Sequence, residues 1–372
     1  MQLSNEDNLR LNVLLAQQLQ AVRINEGTMT VHALTTKGEA KVPLNPTTKD
    51  EQYLRWVREL LSTKVTGSPG GYPIFLKRWT RMGHTRNNLE QMLLLGEPEA
   101  VVAVVHSTDV SHEIGRRAWW ADPTAGNARR LLEKPEVAAG PLGKELTAYL
   151  MEFLPFEEIP LDVVDTVRLC LQDGLVSQTE REKLWSRAKR KNPFYVGFLL
   201  ADAKNIPLEL KPHPQSDHIS QPLQVALRDN NPFANALHLT LNQYGQHWLK
   251  TLSLALEKPV DQDVVIALFK AIQKRFNLPF PEQRGVSDIT VARQRSEQFI
   301  QGEFCPDEIK QLLPLLNSDQ LPLLKSLLIL GQLGEDTLNN IFAGNDSVGS
   351  VMRKRLAPLV KPLVAEIKVL LG

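Results

Sequence analysis

The sequence predicts a mainly α protein with a small α+β cap at its N-terminal end, and three observations carry that expectation. Apolar residues alternate convincingly over one stretch alone, residues 22–44. From Asp50 onward they recur at steps of three and four, which places them along one face of a helix. Gly, Pro, Asp or Ser stands at nearly every join between these helical runs, and no fixed repeat length connects them. The expected architecture is the cap with a short β-meander, then a solenoid-like helical array, then a C-terminal helical domain.

Each element has its own signal. Ser4 with Asp7 three positions later reads as a helix start, and Leu11, Leu14 and Leu15 follow at helical spacing. Val22 and Ile24, then Met29, Val31 and Ala33, then Ala40, Val42 and Leu44 alternate across turns at Glu26-Gly27 and Lys37-Gly38, predicting three strands. A helix from Asp50 carries Tyr53, Val57, Leu60 and Leu61 on one side and ends at Gly67. Short amphipathic helices are expected over 98–106, 111–121, 123–134, 141–154, 160–173, 177–190 and 193–203. None could bury its apolar stripe alone, which is the logic of a helical-hairpin array.

Residues 206–222, IPLELKPHPQSDHISQP, concentrate prolines and polar residues and read as a linker. The domains implied are 1–95, 96–205 and 223–372. In the last of these, one long helix is expected from Asn231 to Glu257 and another over 261–277. Four more follow over 287–301, 306–316, 319–332 and 334–343, then a terminal helix that Pro358 and Pro362 should kink or split.

Composition sets outer limits. The 372 residues, 42% hydrophobic and 23% charged, fall in the globular range. Lys and Arg total 43 against 42 Asp and Glu, so no global charge draws the chain to nucleic acid or anionic lipid. Cys170 and Cys305 lie far apart with no CxxC spacing, which excludes a disulfide framework and a cysteine metal site and favours a reducing compartment. The N-terminal residues lack the basic and apolar pattern of a signal peptide, and no apolar run approaches membrane-spanning length. A soluble cytoplasmic protein without cofactor or metal is expected.

The least generic stretch is GSPGGYPIFLKRWTRMG, residues 67–83. A glycine turn containing Gly70 and Gly71 leads into a short helix that carries Lys77, Arg78 and Arg81. Backbone amides at the turn and these cations could hold an anion or an RNA backbone. The same residues also fit a turn followed by a helix whose arginines make surface pairs. No GK pair makes it a phosphate-binding Walker loop.

Arg116 and Arg117 precede Trp119 and Trp120, and Arg129 and Arg130 follow one helix later. They could line an anionic-partner groove in which aromatics stack on bases. Equally, the tryptophans could be core and the arginines paired with Glu113 or Glu133. Lys189, Arg190 and Lys191 read as a solvated helix end, where cations complement the helix dipole. His213, Asp217 and His218 match no metal-ligand spacing. Cys170 reads as a core thiol; Cys305, at a helix start, is the better candidate of the two for a lowered pKa, but with no base assignable from the sequence a structural role is the favoured reading there too.

Three stretches carry a family resemblance: residues 44–83, LLLGEPEAVVAVVHS, and RRAWWADPTAGNARRLLE. Together they resemble the DsrS family, proteins encoded beside the dissimilatory sulfite reductase genes of sulfur-oxidising bacteria. The resemblance implies a cytoplasmic accessory or regulatory role in sulfur metabolism. It supplies no catalytic motif, so no functional residue is carried over from it. The function expected is that of a non-enzymatic protein binding a protein or anionic partner. An RNA-binding regulator and an enzyme acting on a small sulfur or phosphate anion are the alternatives.

Overall fold

Ser4 accepts the Asp7 amide at 3.1 Å and so starts the first helix, α1 (Asn5–Leu15), where the sequence placed it. These coordinates come from a computed structural model, which describes residues 3–68, 70, 71, 86–202, 206–280, 286–343 and 348–372. The strands β1 (Leu19–Asn25), β2 (Thr30–Thr35) and β3 (Gly38–Pro43) form one antiparallel sheet in sequence order. Val22 lies opposite Ala33, and Val31 opposite Val42. The period of two sends Val22, Val31, Ala33 and Val42 to one face. There they join Leu11 and Leu14 of α1 and Tyr53, Val57 and Leu61 of α2 (Asp50–Thr66) in one buried cluster. The protein is thus mainly α, with an N-terminal α+β cap.

The chain divides into two compact units, Met1–Phe153 and Leu154–Gly372. The first continues with α3 (Arg86–Met92), α4 (Pro98–His106), α5 (His112–Ala121), α6 (Ala125–Leu132), α7 (Pro135–Ala138) and α8 (Pro141–Phe153). Proline opens α4, α7 and α8, where its missing amide costs no helical hydrogen bond. Ser111 and Thr124 cap α5 and α6 through their side-chain oxygens.

The second unit runs α9 (Pro160–Cys170), α10 (Gln178–Ala188), α11 (Pro193–Ala201), α12 (Ser216–Ser220), α13 (Gln224–Arg228), α14 (Pro232–Leu241) and α15 (Gln243–Glu257). Then come α16 (Gln262–Arg275), α17 (Ile289–Ile300), α18 (Asp307–Lys310), α19 (Leu321–Gly331), α20 (Asn339–Phe342) and α21 (Gly349–Leu370). Phe194, Phe198, Phe233 and Phe269 are fully buried in it. Each stabilises the fold by about 1.5–3 kcal/mol relative to an exposed ring.

Three expectations need correction. The division between units falls after Phe153, whereas residues 206–222 are built into the second unit. Ile206, Ile219 and Leu223 are buried, and the His213 amide donates to the Leu241 carbonyl at 2.8 Å. The expected helix 231–257 is two helices, because the Asn242 side chain caps the Gly245 amide at 2.9 Å and starts a new one. The terminal helix, in contrast, runs unsplit through Pro358 and Pro362. The two prolines are one turn apart on a face that Pro358 exposes, so water can satisfy the carbonyls they deprive of a donor. Among the described residues no helix is long and apolar enough to cross a membrane.

Candidate functional site

Lys77, Arg78 and Arg81, expected to hold an anion, lie outside the described residues, but Gly70 and Gly71 do not. At the end of α2 the Ser62 hydroxyl donates to the Ser68 carbonyl at 2.6 Å and accepts the Gly71 amide at 2.9 Å. That amide is already spent within the turn. A Cβ on Gly71 would lie 2.5 Å from the Glu97 carboxylate, so this glycine is closely packed. The local geometry is that of a helix stop.

The second candidate group is also internally satisfied. Arg116 and Arg117 both grip Glu113, at 2.9 and 3.0 Å, and Arg116 reaches Gln20 as well. The two guanidinium groups hold the Glu113 carboxyl at about 2, well below the usual carboxylate range. Trp119 is buried, donates its indole to Glu145 at 2.8 Å and meets Tyr149 edge-on at 4.9 Å. Trp120 instead stacks under Arg23, whose guanidinium lies 4.6 Å from the ring centre. Arg130 pairs with Glu133. Arg116, Arg117 and Trp119 therefore share one helix without forming a basic groove, and their alternative reading as paired and core residues describes the geometry.

The cysteines follow the same trend. Burial pushes the Cys170 thiol up to about 12. It raises Cys305 too, with Asp307 adding to the rise and Lys310 opposing it. Of the two readings of Cys305, the lowered pKa is the one that fails, because burial dominates the helix start.

The site that does emerge is a cleft of about 380 Å³ in the second unit, where four helix ends meet. Ser177 and Glu180 form a capping box that starts α10, which ends in Lys189, Arg190 and Lys191. Pro193 then starts α11, an apolar helix buried over most of its length. Its Gly197 lets α9 approach so closely that a Cβ there would lie 2.6 Å from Val167. That approach brings Val163 beside Pro193 and Tyr195 in the cleft wall. Asn192, between α10 and α11, donates its Nδ2 to the Ala255 carbonyl at 2.7 Å and so ties the last turn of α15 to the same place. Leu254, Glu257 and Lys258 complete that side.

Two features mark this cleft. Lys189, Arg190, Lys191 and Lys258 are exposed and form no ion pair with a described residue, unlike the arginines of α5. Asn192 Oδ1 is buried and has no hydrogen-bond partner. Its orientation is fixed, since only the amide nitrogen can donate to the Ala255 carbonyl. An orphaned acceptor of this kind costs about 1–3 kcal/mol unless a donor reaches it. Tyr195, packed edge-on against Trp185 at 5.3 Å, has its phenol pKa raised by burial and by the nearby Glu257. The sequence showed the basic run, but not that residues 157–160 and 254–260 fold against it.

Comparison with family models, curated proteins and solved structures finds no match to this chain.

Proposed function

We propose that this chain is a non-enzymatic accessory or regulatory protein that works by holding a protein partner at the cleft between α10, α11 and α15. The observation that carries this reading is the set of unpaired cations on the cleft lip, beside exposed apolar side chains. Phe156 is 77% exposed and Ile159 57% exposed, and both adjoin the lining residues Glu157, Glu158 and Pro160. An apolar surface rimmed by charge is the signature of a protein interface. The setting in dissimilatory sulfur oxidation rests on the resemblance to the DsrS family alone, and a cytoplasmic location on that resemblance together with the two isolated cysteines.

RNA is the less supported occupant. Arg116, Arg117 and Arg130, which could have tracked phosphates on α5 and α6, are engaged by Glu113 and Glu133, and Trp119 is not free to stack on a base. An enzyme acting on a small anion would need an activated nucleophile, and burial leaves both thiols protonated near neutral pH.

Chemical crosslinking in extract of the source cells, followed by affinity capture, tests the reading. The full chain is compared with a Lys189→Glu, Arg190→Glu, Lys191→Glu variant, and captures are made with and without nuclease. A nuclease-resistant protein recovered by the wild type and lost from the variant is the expected result. Partners identical for both chains would sink the proposal, and nuclease-sensitive recovery would replace it with the RNA reading.

A further inference from the structure

We infer that the occupant of this cleft is an acidic protein segment with an apolar anchor residue, an inference that rests on the protein-partner reading above. Two demands of the cleft converge on that chemistry. Lys189, Arg190 and Lys191 stand in one exposed run on the lip, with Lys258 also in the lining, and these ask for carboxylates. Val163, Pro193 and Leu254 in the same lining ask for an apolar side chain.

No simpler ligand meets both. A phosphate or other small anion satisfies the cations but leaves the apolar lining without a partner. A nucleic-acid strand likewise brings charge but no aliphatic side chain for Val163, Pro193 and Leu254. A peptide carries carboxylates and an apolar side chain together, spaced so that the carboxylates meet the cations and clear Glu157, Glu158 and Glu257. The Gly349 amide donates to the Val260 carbonyl at 3.4 Å, which brings the exposed Val348 close to Val260 and extends the apolar surface beyond the cleft.

The test is fluorescence anisotropy on the full-length protein with a labelled peptide of Asp and Glu around a central Leu-Phe pair. Its comparison probes are the same peptide with the central Leu-Phe pair replaced by Ser-Ser, a basic counterpart, and polyuridylate RNA. Two variants accompany the wild type: the triple charge reversal at 189–191, all exposed positions, and Val260→Trp, which obstructs the cleft without changing charge. The expected result is binding of the acidic peptide that weakens with salt and falls about tenfold or more in each variant and on loss of the Leu-Phe pair. Acidic-peptide binding that is the same in both variants overturns the inference, as does stronger binding of the RNA or the basic peptide. Crosslinking separates the two levels of argument. A cellular partner lost from both cleft variants, with no binding of the acidic peptide, overturns the acidic segment and leaves the accessory reading intact. A partner retained by both variants overturns both.

Discussion

The Tyr53 hydroxyl donates to Asp7 Oδ2 at 2.5 Å in a site from which water is excluded, Asp7 and Tyr53 both being fully buried. The same carboxylate oxygen accepts the Asn45 amide at 2.8 Å, so one side chain of α1 fastens the end of β3 and the face of α2. Asp7 Oδ1 has no partner at all. Tyr53→Phe keeps the ring packed and removes one of the two donors that stabilise the buried carboxylate. The expected loss is about 1–3 kcal/mol, read as a lower urea midpoint with an unchanged slope. An unchanged midpoint would mean that water reaches the carboxylate and compensates.

The break between α14 and α15 depends on Gly245. A Cβ there would meet the Thr240 carbonyl at 2.2 Å and the Leu239 carbonyl at 2.3 Å, both backbone atoms that cannot swing aside. Gly126, in contrast, lies on the exposed side of α6, where a Cβ would meet nothing. Gly245→Ala should destabilise by about 1–3 kcal/mol or more, because it forces a backbone shift in a packed region. Gly126→Ala should be neutral or stabilise by about 0.5–1 kcal/mol, since alanine has less chain entropy to lose within a helix. Thermal melts of the two variants side by side check this, and equal effects of the same sign would refute the assignment.

Much of the fold was legible because it is written in local periodicity. The alternation at Val22, Val31 and Val42 gave the sheet, and the caps Ser4, Ser111 and Ser177 mark helix starts in sequence as in space. The errors have physical causes of their own. Asn242 sits within a run of uninterrupted helical spacing, and only its bond to the Gly245 amide makes it a cap. The prolines of 206–222 read as a linker, because nothing local shows that Ile206 and Ile219 find a core elsewhere. The cleft was less legible still. Lys189, Arg190 and Lys191 look the same in sequence as any solvated helix end, and their difference lies in which carboxylates fail to reach them. Arg116 and Arg117 look more functional in sequence, yet Glu113, one turn earlier, takes them both.

The thiols give a prediction that separates buried from reactive cysteine. Cys170 is enclosed on α9, and burial with the added influence of Glu180 places its pKa at about 12. Cys305 is also buried, and its pKa is raised for the same first reason. Both should resist iodoacetamide in the native protein near neutral pH and react fully once denatured, as counted by intact mass. Fast labelling of Cys305 alone in the folded protein would reopen the case for a reactive thiol at the start of α18.

Acid should loosen the segment that follows α11, and the sign comes from two histidines that act as acceptors. His247, buried on α15, accepts the Leu210 amide on Nε2 at 3.3 Å, and His213 accepts the Gln215 amide on Nδ1 at 3.1 Å. Protonation would turn each acceptor into a donor facing another N–H. Burial lowers both pKa values below the ordinary 6.5. The unfolded chain then binds more protons than the folded one as pH falls below 6.5, so stability is full above that value and declines beneath it until the lowered folded-state values are reached. Each histidine adds at most about 1.4 kcal/mol per pH unit to that decline. His247→Gln retains an oxygen that can accept from Leu210 and does not titrate, so its stability should depend less on pH than that of the wild type. Urea midpoints measured from about pH 7.5 to about pH 5 decide the matter. Parallel profiles for the two proteins would show that His247 is not one of the groups that sense acid, and the decline would then belong to His213 and the carboxylates.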